Sequence, residues 1–583
     1  MKNKILIVIA VLLITTGVFA QKKYAISMFH YNLQYVAGDY KIENRIIKES
    51  LYPALQWFEK NPQYKADFEI QGYGIEVLAE EHPKVFKLFK KLVDKGQIEL
   101  VIAHYSDQFF IAYPGLDLQR SIEISDQILK KYKMKRSKVF FAQEIQWTPA
   151  YAAILKNTHD LVVTSSDPHG YYRDHTMPLV NVKYGDDQIL GLIGAGEKKL
   201  KNIEWTYAFL DDGEVFNSLD YRSDFYRVPA QEKKSIDKYK RLKKEGYTFI
   251  TMSQLAEILK KDKDYQIPDY QFVPEGTWNM SVCGPYMWMG RQRSGVETDG
   301  ITRALSYEVR GKVLVAEKLI NSAKANNQDT TELNKLLLDA WKHLLLSEVS
   351  DSSGWTPWLV EVQYTANEVA HVEKALNKIF KILMKNNSIS KNDILRVDTK
   401  SGSINTVKEI PSKTVTDSYL PIEYYVRAAK YNAEIKKVKE DLYVLDIEAF
   451  RPEDGAVEIT FNTAKDGLYY SAGAGEEIYV EIPTDLKKDP AFSLSNGFIN
   501  LGNGYNLIKD CSVEHIAATW KQKEQKLVFR QELNPKNPKM NMRFYIEKGS
   551  PDSGLKIANE LNTWPSYYVF VKNDQVVLEK IMP

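Results

Sequence analysis

Two acidic residues follow apolar, strand-like runs in this sequence. Glu144 comes after the run 139–142 (VFFA), and a helix-like segment and a second apolar run, 161–164, follow it. Asp212 comes after the run 205–210 (WTYAFL). In α/β barrels, chemistry takes place at the carboxyl ends of the strands. The Asp-Gly pair at 212–213 is also a turn signal, but its position after an apolar run predicts that Asp212 faces Glu144 across a barrel mouth.

A pair of carboxylates over such a mouth is typical of glycosidic bond cleavage. One carboxylate attacks the anomeric carbon, or activates the water that does, while the other protonates the leaving oxygen. Burial beside a second carboxylate keeps the acid protonated near neutral pH. Glu144 and Asp212 are therefore the predicted catalytic residues.

Histidines also stand where strand-like runs end. His30 follows the run 24–29 (YAISMF), and His104 follows the run 98–102 (IELVI). Both are candidates for contacts with substrate, because barrel loops converge on one mouth. For His104 a neutral, hydrogen-bonded residue without a ligand is an equally good interpretation.

The elements that must position these residues alternate between strand and helix. This alternation, from Tyr24 to Lys261, predicts an α/β fold with a parallel sheet, most simply a barrel. Long helical patterns over 303–325, 331–348 and 366–385 predict an appended helical bundle. Strand signals separated by Gly, Asn and Pro dominate after about residue 391 and predict a β-sandwich. The expected divisions are a signal peptide, 1–20, a catalytic barrel, 21–302, a bundle region, 303–388, and a β-rich domain, 389–583.

Composition narrows the class of protein. The chain has 583 residues, of which 44% are hydrophobic and 26% charged, as in soluble globular proteins. A net charge of +2 without a basic stripe argues against a nucleic-acid partner, and no segment after residue 20 is apolar enough to predict a membrane span. The first 20 residues have the charged start, apolar stretch and small-residue end of an export signal. Cys283 and Cys511, the two cysteines, allow one disulfide but exclude a thiolate-rich zinc site.

Several segments, taken in order, resemble the motifs of glycoside hydrolase family 57. The segments are 96–101 (GQIELV), the region of Glu144, 211–216 (DDGEVF), 274–278 (PEGTW) with Trp288, and 339–351. The resemblance covers about residues 24–385. That family contains α-amylases, 4-α-glucanotransferases, glucan-branching enzymes and α-galactosidases. The resemblance implies an incomplete seven-stranded (β/α) barrel, a retaining mechanism, and no metal or other cofactor in the chemistry.

The resemblance also implies roles for particular residues. Glu144 matches the family's nucleophile, Asp212 matches its acid/base, and His30 matches a histidine that binds sugar hydroxyls. The chain departs from the family's His-Gln-Pro motif, because Tyr31 and Asn32 follow His30. It also lacks the usual Trp or Pro directly before Glu144.

Two tryptophans are candidates for stacking on a sugar ring, because an aromatic face matches the apolar face of a pyranose. These are Trp278 and Trp288, for which packing between barrel and bundle is an equally good interpretation. The predicted partner is an oligo- or polysaccharide. Export favours degradation of an external or periplasmic glycan over glycogen building inside the cell.

Two other functions remain open at this point. One is a non-catalytic glycan-binding protein on the same fold. The other is a metal-dependent polysaccharide deacetylase, although neither a His-x-Asp motif nor an Asp-Asp pair with a later His-x-x-x-His follows His30. The loop 167–175 contains residue types that can bind a metal, and a polar loop without metal is the preferred interpretation.

Overall fold

A computed structural model describes most of the chain. The described residues are 21–34, 38–102, 104–141, 143–164, 167–174, 177–194, 198–200, 202–214, 232–278, 280, 284–291, 298–354, 359–411, 415–472 and 477–583. Among them, no helix combines the length and the hydropathy needed to cross a membrane. The proposed signal peptide, residues 1–20, lies outside the described residues.

The N-terminal part alternates strand and helix, as the sequence predicts. Its strands are β1 Lys22–Tyr31, β2 Ala66–Ile70, β3 Ile98–Val101, β4 Val139–Phe141, β5 Leu161–Thr164, β6 Leu179–Tyr184, β7 Asp187–Ile193, β8 Lys198–Leu200, β9 Ile203–Asp212 and β10 Thr248–Phe249. Its helices are α1 Tyr40–Arg45, α2 Tyr52–Lys60, α3 Gly72–Glu81, α4 Pro83–Asp94, α5 Gly115–Tyr132, α6 Tyr151–Leu155, α7 Asp167–Tyr172, α8 Glu232–Lys244 and α9 Met252–Lys260.

These strands form two ladders. The first has the order β3-β2-β1-β9-β8, in which β8 is antiparallel and β10 runs parallel beside the start of β1. The second joins β4, β5 and β7 in parallel and has the antiparallel β6 at its edge. Among the described residues, seven strands are thus parallel besides the short β10. Of these, β4 and β5 are buried along their whole length and almost entirely apolar, as is typical of strands covered on both faces. The mixed α/β prediction is confirmed.

Three long helices follow the N-terminal part. After the short α10 (Tyr286–Met289), they are α11 Asp299–Ala325, α12 Thr331–Ser347 and α13 Leu359–Lys385. α11 begins where the Thr298 hydroxyl caps the helix by accepting a bond from the main-chain N–H of Ile301. Beyond α12, a short turn at Ser350–Ser352 contacts the segment that follows β3. The Ser350 N–H donates to the Asp107 carbonyl at 2.8 Å.

The C-terminal part is mostly antiparallel sheet. Its elements are β11 Ile394–Val397, β12 Ile404–Val407, β13 Thr416–Asp417, β14 Tyr424–Arg427, β15 Lys430–Lys439, β16 Leu442–Phe450, β17 Ala456–Asn462, β18 Tyr469–Tyr470, β19 Val480–Glu481, β20 Ala491–Phe492, β21 Phe498–Asn500, β22 Tyr505–Lys509, β23 Ala518–Lys521, β24 Lys526–Glu532, β25 Lys539–Lys548, α14 Pro551–Ala558, β26 Tyr567–Lys572 and β27 Gln575–Lys580.

Apolar side chains of its two larger sheets share one core. β16 alternates buried and partly exposed residues, as expected for a strand with one covered face. Phe461 of one sheet meets Phe544 of the other with ring centroids 5.1 Å apart. Cys511 is a buried free thiol in this part, and Cys283 lies outside the described residues.

Candidate active site

Three neighbouring parallel strands bring His30, Glu69 and Asp212 together. In the ladder register, His30 of β1 lies opposite Glu69 of β2 on one side and opposite Asp212 of β9 on the other. The Nδ1 atom of His30 hydrogen-bonds the fully buried Glu69 carboxylate. Burial alone would lower the pKa of His30, but the charge and hydrogen bond of Glu69 outweigh it and raise the pKa well above its ordinary value. The contact with Glu69 therefore favours the protonated, imidazolium form of His30.

The chain after Asp212 turns tightly against β1. The Gly213 N–H donates to the His30 carbonyl at 2.6 Å, and a Cβ atom at position 213 would lie 2.5 Å from the ring of Tyr31. Only glycine fits this close approach. The turn fixes Asp212 at the mouth and directs the next residue, Glu214, into the interior, where it is fully buried.

Glu144 follows β4 in an unusual backbone conformation. Its φ and ψ are 55° and 14°, in the left-handed region that non-glycine residues seldom adopt. Such a conformation costs about 1–3 kcal/mol and is concentrated at functional sites. The Glu144 carbonyl accepts a hydrogen bond from the Trp278 main chain at 2.9 Å, and its carboxylate accepts one from the Trp278 indole. Ser350 donates to the same carboxylate at 3.2 Å.

The ionisation of Glu144 depends on its neighbours. Burial raises the pKa of Glu144 to about 7, and the negative charges of Asp351 and Asp212 act in the same direction. The Trp278 hydrogen bond and the charge of His30 lower it. Asp212 therefore lies close enough to Glu144 for its charge to affect the ionisation of Glu144.

Further buried carboxylates surround this pair. Asp107 accepts a hydrogen bond from the Gln71 amide at 2.6 Å, and Glu214 accepts one from the Asn32 main chain. Burial raises the pKa of both carboxyls well above the ordinary value. His30 lies among these carboxylates. Buried carboxyl groups thus cluster at this site, as suits chemistry that must keep one carboxyl group protonated.

The other two predicted site residues lie deeper. His104 is completely buried beside His30, and burial lowers the pKa of its ring to about 3, so it is neutral. Trp288 is 2% exposed and stacks on Phe109 with ring centroids 5.2 Å apart. It touches the half-buried Trp278 edge to face, at 6.2 Å. These surroundings favour the packing interpretation for Trp288, whereas Trp278 reaches the carboxylate.

Sequence reasoning missed Glu69, Glu214 and Ser350. For Glu69 a signal existed, because a charged residue inside the apolar strand Phe68–Ile70 needs a partner. The position of Ser350 depends on how the bundle returns to the strands and has no local signal.

The alternative metal site has no support among the described residues. They contain no cluster of three or more His, Cys, Asp or Glu side chains arranged to hold a metal ion. In the loop 167–175, His169 is buried and hydrogen-bonds the Tyr270 hydroxyl, and His175 lies outside the described residues.

The chain is similar to known carbohydrate-active proteins. The model of glycosyl hydrolase family 57 matches residues 18–267. An α-amylase of Pyrococcus horikoshii is 27% identical over 128 residues, which are 22% of this chain and 20% of that protein. A 4-α-glucanotransferase of Thermococcus litoralis is 24% identical over 191 residues, 29% of each chain. The chain thus spans about a fifth to under a third of the length of these relatives.

A solved structure shares the arrangement of nearly the whole chain. An α-mannosidase from Enterococcus faecalis V583 superposes with a TM-score of 0.59 over 90% of this chain and 87% of its own, at 8% identity. At this identity the likeness concerns the fold alone. The sequence match, by contrast, includes the strands that carry His30, Glu144 and Asp212. The match of residues 18–267 to the model of glycosyl hydrolase family 57 thus confirms the predicted family resemblance.

Proposed function

We propose that this protein is an exported, retaining glycoside hydrolase or transglycosylase that acts on an α-linked glycan, an α-glucan or an α-galactoside. The observation that carries the proposal is the buried Glu144 carboxylate, which accepts a hydrogen bond from the Trp278 indole and whose pKa the charge of Asp212 helps to raise. The match of residues 18–267 to the family 57 model supports the same chemistry. The two N-terminal sheets would form the incomplete seven-stranded barrel that the sequence predicts. The C-terminal sheets would form the predicted β-sandwich.

In the first step Glu144 attacks the anomeric carbon of the substrate. A bond forms from a Glu144 carboxylate oxygen to this carbon, and the bond from the carbon to the leaving oxygen breaks. Asp212 gives its proton to the leaving oxygen. The product of this step is a glycosyl-enzyme with an ionised Asp212.

In the second step Asp212 acts as a base. It takes a proton from a water molecule, whose oxygen bonds to the anomeric carbon and releases the Glu144 carboxylate. If a sugar hydroxyl takes the place of water, the same step transfers the glycan. Configuration at the anomeric carbon is retained in both cases.

The surrounding residues support these roles. Glu144 must be ionised to attack, and the Trp278 hydrogen bond favours that form. Because Glu69 occupies Nδ1 of His30, Nε2 is the ring atom that would donate to a sugar hydroxyl. The indole N–H of Trp278 donates to Glu144, and the side chain is only half-buried. The exposed part of its ring can therefore contact a sugar.

Digestion of a panel of α-glucans and α-galactosides tests the proposal. We expect product from the wild type and none from Glu144→Gln, while Glu123→Gln, an exposed carboxylate on α5, should match the wild type. Equal activity of wild type and Glu144→Gln would exclude Glu144 as the nucleophile. Glycan binding without product from the wild type would instead support a non-catalytic binding protein.

Dialysis against a chelator separates the remaining alternative. Activity of a metal-dependent deacetylase would disappear, whereas a glycosidase with the proposed chemistry should keep its activity. Detection of the predicted signal peptide cleavage before Gln21, by N-terminal sequencing of the mature protein, tests export.

A further inference from the structure

Asn32 joins two separate carboxylates at the edge of the site. It follows the last residue of β1 and is 2% exposed. Its main-chain N–H donates to the Glu214 carboxylate, and its side-chain Nδ2 donates to Asp351 Oδ2 at 2.9 Å. Its Oδ1 accepts from the Gln34 N–H at 2.8 Å, which fixes the orientation of the amide so that Nδ2 points to Asp351.

The two carboxylates come from distant parts of the chain. Glu214 follows β9, whereas Asp351 lies in the turn after α12. The buried Arg303 holds this turn by donating to the carbonyls of Val349 and Ser350 at 2.8 and 3.0 Å. Asn32 is therefore a direct side-chain link from the first strand to the turn that supplies Asp351.

Asp351 follows Ser350, whose hydroxyl donates to the Glu144 carboxylate at 3.2 Å. After burial, the charge of Asp351 is the largest influence that raises the pKa of Glu144. The other charged groups that act on Glu144 are Asp212 from β9 and His30 from β1. A change in the position or charge of Asp351 therefore changes the ionisation of Glu144.

We propose that Asn32 is a positioning residue of the catalytic centre, which holds Asp351 beside Glu144 and thereby controls how readily Glu144 loses its proton. This inference rests on the proposed role of Glu144. It gives a physical purpose to the departure from the family's His-Gln-Pro motif, since a proline at position 32 would have neither the main-chain N–H nor the amide.

Loss of the Asn32 amide is expected to lower the pKa of Glu144. Without Nδ2, the Asp351 carboxylate either turns away from Glu144 or takes up a proton, because a donor that stabilised its charge is gone. Both changes weaken the repulsion on ionised Glu144. The pKa of Glu144 therefore falls in either case.

The indole of Trp278 provides a readout that does not need turnover. Its N–H donates to Glu144, so its NMR signal in protein labelled with ¹⁵N-tryptophan reports the ionisation of that carboxyl. Trp278→Phe identifies the signal. The midpoint of its pH titration is measured in the wild type, Asn32→Leu, Asn32→Ala, Asp351→Asn, and the exposed control Asn405→Leu.

We expect both Asn32 variants to lower the midpoint by roughly one unit, the low end of the effect of a nearby charge. Asp351→Asn should lower it as well, and the double variant with Asn32→Leu should lower it no further, because the two changes act through one contact. Asn405→Leu should leave it unchanged. Asn32→Ala adds no bulk, so it replaces Asn32→Leu if the larger side chain impairs folding.

Two results would overturn the inference. An unchanged midpoint in the Asn32 variants together with a lower one in Asp351→Asn would show that Asn32 does not position Asp351. An unchanged midpoint in all variants would show that Asp351 does not act on Glu144. Absence of product in the glycan panel would refute the proposed function but leave this titration interpretable.

Discussion

Two of the places where the molecule buries charged side chains differ in how the charge is compensated. Where α11 meets the N-terminal part, Arg310 and Asp117 are at most 1% exposed, and the Nε atom of Arg310 lies 2.8 and 2.6 Å from the two Asp117 oxygens. Arg310 also donates to the Thr563 carbonyl of the C-terminal part at 2.5 Å. At the mouth of the strands, by contrast, buried carboxylates surround the cation His30.

The buried charges at the junction serve stability, whereas those at the mouth serve the proposed catalysis. At the junction, the desolvation of Arg310 and Asp117 is offset by their attraction and by hydrogen bonds, and the charge of Arg310 also acts on the buried Glu348. At the mouth, carboxylates repel one another, and burial raises the pKa of Glu144, Asp107 and Glu214. Such imbalance lowers stability and is typical of catalytic sites, which need groups that exchange protons near neutral pH.

The largest expected effect is on activity at the mouth. Asp212→Asn removes the proton donor without adding bulk, and we expect kcat to fall by about 10²–10⁴-fold. Steady-state kinetics on the best glycan of the panel measures it, with the exposed Asp186→Asn as a matched control. A variant that keeps wild-type kcat would place the acid elsewhere, with Glu214 as the next candidate.

The next effect is on stability at the junction. Arg310→Met leaves Asp117 buried without its cation, and we expect the free energy of unfolding to fall by about 3–5 kcal/mol. Urea denaturation measures it. The double variant Arg310→Met/Asp117→Leu should recover only part of the loss, because the buried Glu348 also loses the charge of Arg310. A small loss in the single variant would contradict the contrast drawn between the two regions.

A smaller change of opposite sign is expected at the mouth. Because the folded-state pKa of Glu214 is raised, this residue costs stability above the ordinary carboxyl pKa, and the cost grows as pH rises toward its folded value. Glu214→Gln can still accept the Asn32 hydrogen bond and should raise the free energy of unfolding by about 1 kcal/mol at pH 8. The gain should be smaller at pH 5. Equal stability at both pH values would show that Glu214 carries no excess cost.

The smallest expected effect is on the pH profile. Glu144 must be ionised to attack, so kcat/KM should rise with pH through about 7, its folded-state pKa. Trp278→Phe removes a hydrogen bond that favours the ionised form, and we expect this limb to move up by about half a unit. Trp288→Phe is the matched control, since Trp288 contacts Trp278 and Phe109. A shift of equal size in both variants would indicate a packing effect.

Periodic patterns allowed much of the fold to be predicted. The bundle helices predicted over 303–325 and 331–348 are found at Asp299–Ala325 and Thr331–Ser347. Apolar spacing is a local signal, so it can be read without knowledge of the fold. The helix predicted over 366–385 begins earlier, at Leu359. Its first turns bury Val362, Tyr364 and Thr365.

The site could be predicted only in part. Strand ends and family motifs mark four of the predicted residues, which are His30, Glu144, Asp212 and Trp278. The structure places these four near one another. Glu69 was identified as a residue of the site only from the register of β1 against β2, which places it opposite His30. Register depends on the pairing of whole strands, which a single sequence does not specify.

By itself, the sequence determined the alternation of strands and helices, the acidic residues at strand ends and the glycine after Asp212. Tertiary structure alone decided that Asp351 and Ser350 return to Glu144 and that Asn32 meets Asp351 across 319 positions of sequence. The physical reason is that hydrophobic spacing acts within an element, whereas the ionisation of a buried carboxyl depends on every charge packed around it.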